Sequence, residues 1–92
     1  MAFLLTHFWP GGTEDEYRAT LAAAHPEGGL PPGQIYHVAG PTDGGFLIAA
    51  VWDSEASANA FLETLLGKGP VEGGLVGPPE ARVADVVNLQ TA

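Results

Sequence analysis

The sequence predicts a single α+β domain whose elements follow the order strand, helix, strand, strand, helix, strand. Two observations support this order: apolar runs bounded by Gly and Pro, and two segments with a helical repeat of apolar residues. A length of 92 residues with no internal repeat indicates that there is one domain. A domain of this size buries only about 60 to 65% of its unfolded surface, so we expect self-association to stabilise it.

Composition excludes several classes of function. The chain has no cysteine, which excludes disulfides and Cys-based metal sites and fits a reducing cytoplasm. Three Lys or Arg against eleven Asp or Glu give a net charge of −8, which disfavours nucleic acid and membrane surfaces as partners. No two histidines stand four residues apart on a predicted helix, so we expect no metal site.

The first two elements are defined by their ends. Residues Ala2–Trp9 form an apolar and aromatic run that stops at "PGG", as a first strand does. Thr13 and Glu16 then match a capping box at the start of a helix, and Pro26 ends that helix. One narrow apolar stripe on the helix consists of Tyr17, Leu21 and Ala24.

The central part of the chain predicts a β-hairpin. Residues Gln34–Gly40 read as strand two, and "PTDGG" reverses the chain into strand three, Phe46–Trp52. Strand three is apolar at every position, so both of its faces need cover and it belongs in the sheet interior.

The second helix and the last strand follow. Asp53 or Ser54 caps the helix and Gly67 ends it, and a turn-rich connection leads to a last strand over Ala81–Leu89. The apolar positions of this helix recur at i, i+3, i+4 and i+7: Ala58, Phe61, Leu62 and Leu65.

This order is the ferredoxin-like βαββαβ pattern, a four-stranded antiparallel sheet with both helices on one face. The opposite face is left bare and is apolar along strand three. A symmetric homodimer that closes two sheets into a barrel would cover it, so we expect the chain to pair with itself.

Three stretches carry a resemblance: "GGTEDEY", "LPPGQIYHVAGPTDGG" and "GGFLIAAVWDSEASANAFLETLLG". Together they resemble the dimeric α/β-barrel superfamily that includes the antibiotic-biosynthesis monooxygenases, closest to a branch of small bacterial proteins, over nearly the whole chain. The most specific part is Trp52 followed by Asp53 and Ser54. In that superfamily this motif marks the fold, so the resemblance implies that Trp52 packs at the junction between strand three and helix two.

The superfamily includes cofactor-independent oxygenases of aromatic substrates, haem-degrading monooxygenases, lactone isomerases and haem-dependent chlorite-decomposing enzymes. Haem-degrading members carry an Asn on strand one, and a Trp and a His on or after helix two. Here His7 falls at the strand-one place and Phe61, nine residues beyond Trp52, at the helix-two place. No histidine follows His37, so this chain departs from the haem-degrading and the quinol-oxidising patterns, and we expect no cofactor.

Histidines are the main candidates for chemistry. His7 alternates with Leu5 and Trp9, so it is either a catalytic base in a pocket between sheet and helices or a hydrogen-bonded structural residue. His37 on strand two is either an acid or base that needs a partner carboxylate, or a structural or interface residue. His25, beside Pro26, is expected at a solvated helix end.

Two hypotheses follow. In the first, each subunit binds a small apolar or aromatic molecule between sheet and helices, in a pocket lined by Trp9, His37, Trp52 and Phe61. Cofactor-independent oxygenation would then use His7 to remove a substrate proton so that O₂ can react. In the second, the protein is a non-catalytic homodimeric binding or assembly module and these side chains only pack. A solvent-open cavity beside His7 would favour the first hypothesis.

Overall fold

A computed structural model describes residues 1–24 and 28–92, so the prediction for His25 lies outside the described residues. The sheet has four antiparallel strands in the order β2-β3-β1-β4. This is the predicted ferredoxin-like fold, with strand three in the interior and strand two at an edge. The elements are β1 (Phe3–Pro10), α1 (Glu14–Ala24), β2 (Gln34–Thr42), β3 (Gly45–Trp52), α2 (Glu55–Lys68) and β4 (Glu80–Asp85).

Strand register decides which side chains meet the helices. Phe3 lies opposite Trp52 and Leu5 opposite Ala50, and opposed residues of an antiparallel pair point to the same side. These four are buried together with Ala58 of α2. We call this side the helix face. By the alternation of side chains along β1, His7 and Trp9 lie on it as well.

Helix α1 covers another part of the helix face. The ring of Tyr17 stacks on Phe46 of β3, with centroids 4.9 Å apart. The capping box at the start of α1 is confirmed: the Thr13 N–H donates to Glu16 Oε1 at 3.0 Å, and the Glu16 N–H donates to Thr13 Oγ1 at 3.2 Å. This reciprocal pair satisfies two N–H groups that the first helical turn leaves open.

Helix α2 begins as predicted and ends later than predicted. Ser54 is its N-cap, and the hydroxyl accepts a hydrogen bond from the Ser57 N–H. Gly67 was predicted to end the helix, and this is wrong: the helix continues to Lys68 and Gly69 is the C-cap. The reason is conformational, since Gly69 has φ of 76° whereas Gly67 lacks a positive φ and fits inside the helix.

Strand β4 is shorter than the predicted Ala81–Leu89, because it ends at Asp85. Its only strand neighbour within the described residues is β1, which begins at Phe3, the residue paired with Asp85. Strand β1 therefore has no residue left to pair with β4 beyond Asp85. The Val86 N–H still donates to the Ala2 carbonyl at 2.9 Å. Beyond it, Val87 is 95% exposed.

The other side of the sheet, which we call the bare face, carries the alternate residues of each strand. It includes Val38, which is 65% exposed, and Leu47, which is 43% exposed. The remaining apolar members on the three strands β1, β2 and β3 are Leu4, Phe8, Tyr36, Ala49 and Val51. Exposed apolar surface of this kind is typical of faces that associate with another protein.

We predict that Trp52→Ala lowers the free energy of unfolding by about 3 to 5 kcal/mol, because it empties the centre of a small core. Trp52 is 1% exposed and its ring lies 5.3 Å from that of Phe61. Leu66→Ala is the matched control, since Leu66 is 82% exposed and its loss should change stability by less than about 0.5 kcal/mol. Urea unfolding of both variants measures this. Equal, small losses would contradict the packing role of Trp52.

Candidate functional site

His7 is a partly buried imidazole on the helix face of β1. It lies opposite Ile48 on β3 and opposite Ala81 on β4. No hydrogen bond joins its ring to another group within residues 1–24 and 28–92. Burial lowers the pKa of His7 below its ordinary value, because the charged form loses solvation. The ring is therefore neutral near pH 7 and can accept a proton.

Trp9 lies beside His7, with ring centroids 6.3 Å apart and planes at 77° in an edge-to-face contact. The connection between α2 and β4 packs over the indole: a side chain at Gly77 would overlap the Trp9 ring. The Trp9 Nε1 is buried and has no hydrogen-bond partner among the described residues. The Trp52 Nε1 is likewise buried without a partner among the described residues, so this feature does not set Trp9 apart.

His37 is held by Tyr17. The Tyr17 hydroxyl and His37 Nε2 are 2.7 Å apart, and this hydrogen bond ties α1 to the edge strand β2. His37 lies opposite Ala50, which places it on the helix face. Burial raises the pKa of the Tyr17 hydroxyl, and the positive charge of Arg18 opposes the rise. Tyr17 therefore remains a neutral hydroxyl next to the imidazole.

Tyr17, predicted from the sequence only as part of an apolar stripe, contacts the candidate residue His37. The acid or base role considered for His37 required a partner carboxylate, whereas Tyr17 presents a phenol to its Nε2. The sequence did carry a signal for this contact. The apolar stripe of α1, which includes Tyr17, has to pack on the sheet, and His37 points to that same face. One strand, β3, lies between β1 with His7 and β2 with His37, so the two strands are two spacings, or about 10 Å, apart.

Trp52 and Phe61 form a second aromatic pair on the helix face, and Phe61 also lines an open groove of about 650 Å³. The groove runs between the end of α1, the loop at residues 28–33 and α2, and Asp53 and Ser57 line it as well. The predicted pocket residues thus fall into three contacts: His7 with Trp9, His37 with Tyr17, and Trp52 with Phe61.

His7 is absent from the lining of this groove. It is also absent from a second concavity of about 360 Å³ on the bare face, beside Val38 and Leu47. On the helix face, its neighbours on β4 are exposed, with Val83 at 60%. His7 therefore opens to solvent along a ledge beside β4, which we define by His7, Ala81 and Val83.

Among residues 1–24 and 28–92, no three His, Cys, Asp or Glu side chains come together in a way that would hold a metal ion. Neither helix described here is long and apolar enough to cross a membrane.

Comparison with known proteins supports the fold. No family model and no curated protein matches the sequence. A putative antibiotic biosynthesis monooxygenase from Chloroflexus aurantiacus is 18% identical, with a TM-score of 0.66, over 99% of this chain and 98% of that one. SnoaB, a cofactor-independent oxygenase from Streptomyces nogalater, is 15% identical, with a TM-score of 0.63, over 96% and 94%.

A third solved structure is a monooxygenase of Streptomyces coelicolor in complex with nanaomycin D. It is 20% identical, with a TM-score of 0.54, and the match covers 99% of this chain and 92% of that one. At such identities the similarity establishes architecture. The chain has the ferredoxin-like fold of the antibiotic-biosynthesis-monooxygenase-like proteins, and the resemblance inferred from the sequence is confirmed at that level.

We predict that His7 makes stability fall as the solution becomes acidic. Burial lowers its pKa in the folded state below 6.5, so below that pH the unfolded chain binds more protons than the folded one. This loss of stability is absent above about pH 6.5, grows as the pH falls toward the folded-state pKa, and is complete below it. Urea unfolding at pH 7.5 and 5.5 should show a smaller loss in His7→Gln than in the wild type. An NMR titration midpoint for His7 at or above 6.5 would refute this.

Proposed function

We propose that this protein is a homodimer whose subunits each bind a flat apolar or aromatic molecule between sheet and helices and oxygenate it without a cofactor. One observation carries the proposal: His7 is a partly buried imidazole with a lowered pKa and no hydrogen bond to a described residue, next to the indole of Trp9. The fold similarity to a cofactor-independent oxygenase and to a monooxygenase that binds nanaomycin D adds support.

The proposed reaction begins with proton transfer to His7. A substrate with an acidic methylene next to an aromatic ring loses a C–H proton to the imidazole, and the resulting carbanion reacts with O₂. One oxygen atom becomes a carbonyl on the former methylene carbon, and the other leaves as water with the two hydrogens. All four electrons come from the substrate, so no other reductant or oxidant is required.

Trp9 borders the ledge in this proposal. Its ring contacts His7 edge to face and offers an apolar surface next to the bound molecule. His37, held by Tyr17, and Phe61, backed by Trp52, bound the same helix face farther from the ledge.

The homodimer is supported by the bare face. Its apolar residues on β1, β2 and β3 are exposed or partly exposed, including Val38 and Leu47. Charged side chains on this face stand at Glu80 and Arg82 of β4, opposite Phe8 and Thr6. Two copies that each carry a net charge of −8 repel least where their acidic side chains are sparse. Pairing of two bare faces would therefore cover the apolar surface at little electrostatic cost.

A second candidate is a non-catalytic homodimeric binding or assembly module. It is favoured by one observation: His7 lines neither the groove beside Phe61 nor the concavity on the bare face. In that case His7 is a ledge residue without a substrate, and the homodimer itself is the functional unit.

Anthrone tests the oxygenase proposal, because it is flat, aromatic and carries an acidic methylene. We predict that the protein consumes O₂ with anthrone and forms anthraquinone, and that His7→Gln lowers the rate by about 100-fold or more. Leu66→Gln is the control, since its exposed side chain lies on α2 away from the ledge and should leave the rate unchanged. Equal rates with and without His7 would rule out its role as base. Binding of anthrone with no O₂ uptake would favour the binding module.

A further inference from the structure

The connection between α2 and β4 lies beside the ledge and is rich in glycine. We call residues 69–79 the α2–β4 loop. It contains no helix or strand, and it leads directly into β4, where Ala81 belongs to the ledge. Two of its glycines have positive φ, 76° at Gly69 and 72° at Gly73, a conformation that other residues rarely adopt. The loop therefore has several points at which its backbone can change direction.

The middle of the α2–β4 loop packs against Trp9. A side chain at Gly77 would overlap Cζ3 of the Trp9 ring, so the loop backbone lies directly on the indole. A Cβ at Gly12 would lie 3.0 Å from Leu75 Cδ2 and 3.1 Å from Trp9 Cβ, so Leu75 reaches the same end of β1. Trp9 in turn contacts His7 edge to face. A molecule beside His7 and Trp9 would therefore meet this loop.

One hydroxyl group fastens the α2–β4 loop to α1. Thr20 Oγ1 accepts a hydrogen bond from the Leu75 N–H at 2.8 Å and donates one to the Glu16 carbonyl at 3.0 Å. The bond to Glu16 orients the hydroxyl so that a lone pair is left for the loop. Gly74 is buried next to it, and a Cβ there would lie 2.7 Å from the same oxygen. Within the described residues, no other hydrogen bond joins residues 70–79 to a helix.

A segment held in this way opens more readily than the core. It has no ladder of backbone hydrogen bonds, and its outer side chain Val76 is 75% exposed. Regions with few buried contacts open locally at a small fraction of the cost of global unfolding. Loops that close over bound molecules belong to this class, because they have to move and still have a defined closed position. The bond between Thr20 and Leu75 supplies the defined position here.

We propose that the α2–β4 loop is a lid over the Trp9 end of the ledge, and that Thr20 is the positioning residue that holds it closed. The lid moves off Trp9 to admit a flat apolar molecule beside His7 and closes against that molecule afterwards. This inference rests on the proposed binding at the ledge and adds the segment that controls entry and release. A closed lid also keeps water from the reacting carbon.

The first variant removes the hydrogen bond that holds the lid. Thr20→Val keeps the shape of the side chain and deletes the hydroxyl. Thr64→Val is the matched control, because Thr64 Oγ1 donates to the Ala60 carbonyl at 3.1 Å and thus makes the same kind of bond within a helix, away from the loop.

The second variant moves the lid while Thr20 stays intact. Gly77→Ala places a methyl group against the Trp9 ring, so the loop has to shift away from the indole. Gly67→Ala is its control, because a Cβ at Gly67 has no atom within 4 Å.

Three measurements separate movement, binding and stability. Hydrogen exchange by NMR at the Leu75 amide reports how often the lid opens. A titration with 2-naphthol, followed at the Trp9 indole N–H signal, gives the dissociation constant at the ledge. Urea unfolding shows whether a variant loses stability as a whole.

We expect Thr20→Val and Gly77→Ala to speed exchange of the Leu75 amide about fivefold or more, since each weakens the closed position. Both should also raise the dissociation constant of 2-naphthol about fivefold, because the lid no longer closes firmly on it. Thr64→Val and Gly67→Ala should change neither quantity, and the urea midpoint of Thr20→Val should equal that of Thr64→Val.

Three results would overturn the lid and leave binding at the ledge intact. One is an unchanged Leu75 exchange rate in Thr20→Val, and another is faster exchange with an unchanged dissociation constant. The third is faster exchange spread evenly over all amides of Thr20→Val, which would show global destabilisation. If 2-naphthol shifts the Trp9 signal in none of the proteins, the proposed binding at the ledge fails and the lid fails with it.

Discussion

The fold depends on one apolar layer between the sheet and the helices. Its buried members centre on Trp52, which lies against Phe61 of α2 and in one cluster with Phe3, Leu5 and Ala58. A chain of 92 residues has room for only this one layer, so the opposite side of its sheet has no helix to cover it. The core and the exposed bare face are thus two results of the same limit on size.

The same layer explains why the two tryptophans differ. Trp52 ends β3 where α2 begins, so the helix closes over it and 1% of it is exposed. Trp9 stands near the other end of the helix face, where the connection after α2 packs against its ring. His7, two residues earlier on β1, opens onto exposed β4. The helix face is fully covered at the Trp52 end and less covered at the His7 end. A reactive side chain has to be reached by its substrate, so the less covered end is the place for a site.

The sequence predicted most of the fold because its signals are local. The capping box at Thr13, the turn before β3 and the apolar stripe of α2 each lie within a few residues, and the structure confirms them. The end of β4 could not be predicted in this way, since it depends on where a distant strand begins. The end of α2 was missed because two glycines were available and their φ angles, which decide between them, are not visible in sequence.

The candidate site was less predictable than the fold. Alternation along β1 placed His7 and Trp9 on one face, but the contact of Tyr17 with His37 joins residues 20 positions apart. Such a pair forms only when α1 is laid across the sheet. The exposure of His7 likewise depends on how far α2 and its following connection extend over β1. Local pattern gives the face of a side chain, whereas its partners and its access to solvent follow from packing.

We propose that a flat molecule binds at the open end of the helix face, next to His7 and Trp9. The chain has two tryptophans, so its NMR spectrum contains two indole N–H signals. In a titration with 2-naphthol, we expect the Trp9 signal to shift progressively while the Trp52 signal, from a side chain that is 1% exposed, stays in place. A shift of Trp52 without Trp9, or shifts confined to the bare-face strands, would contradict it.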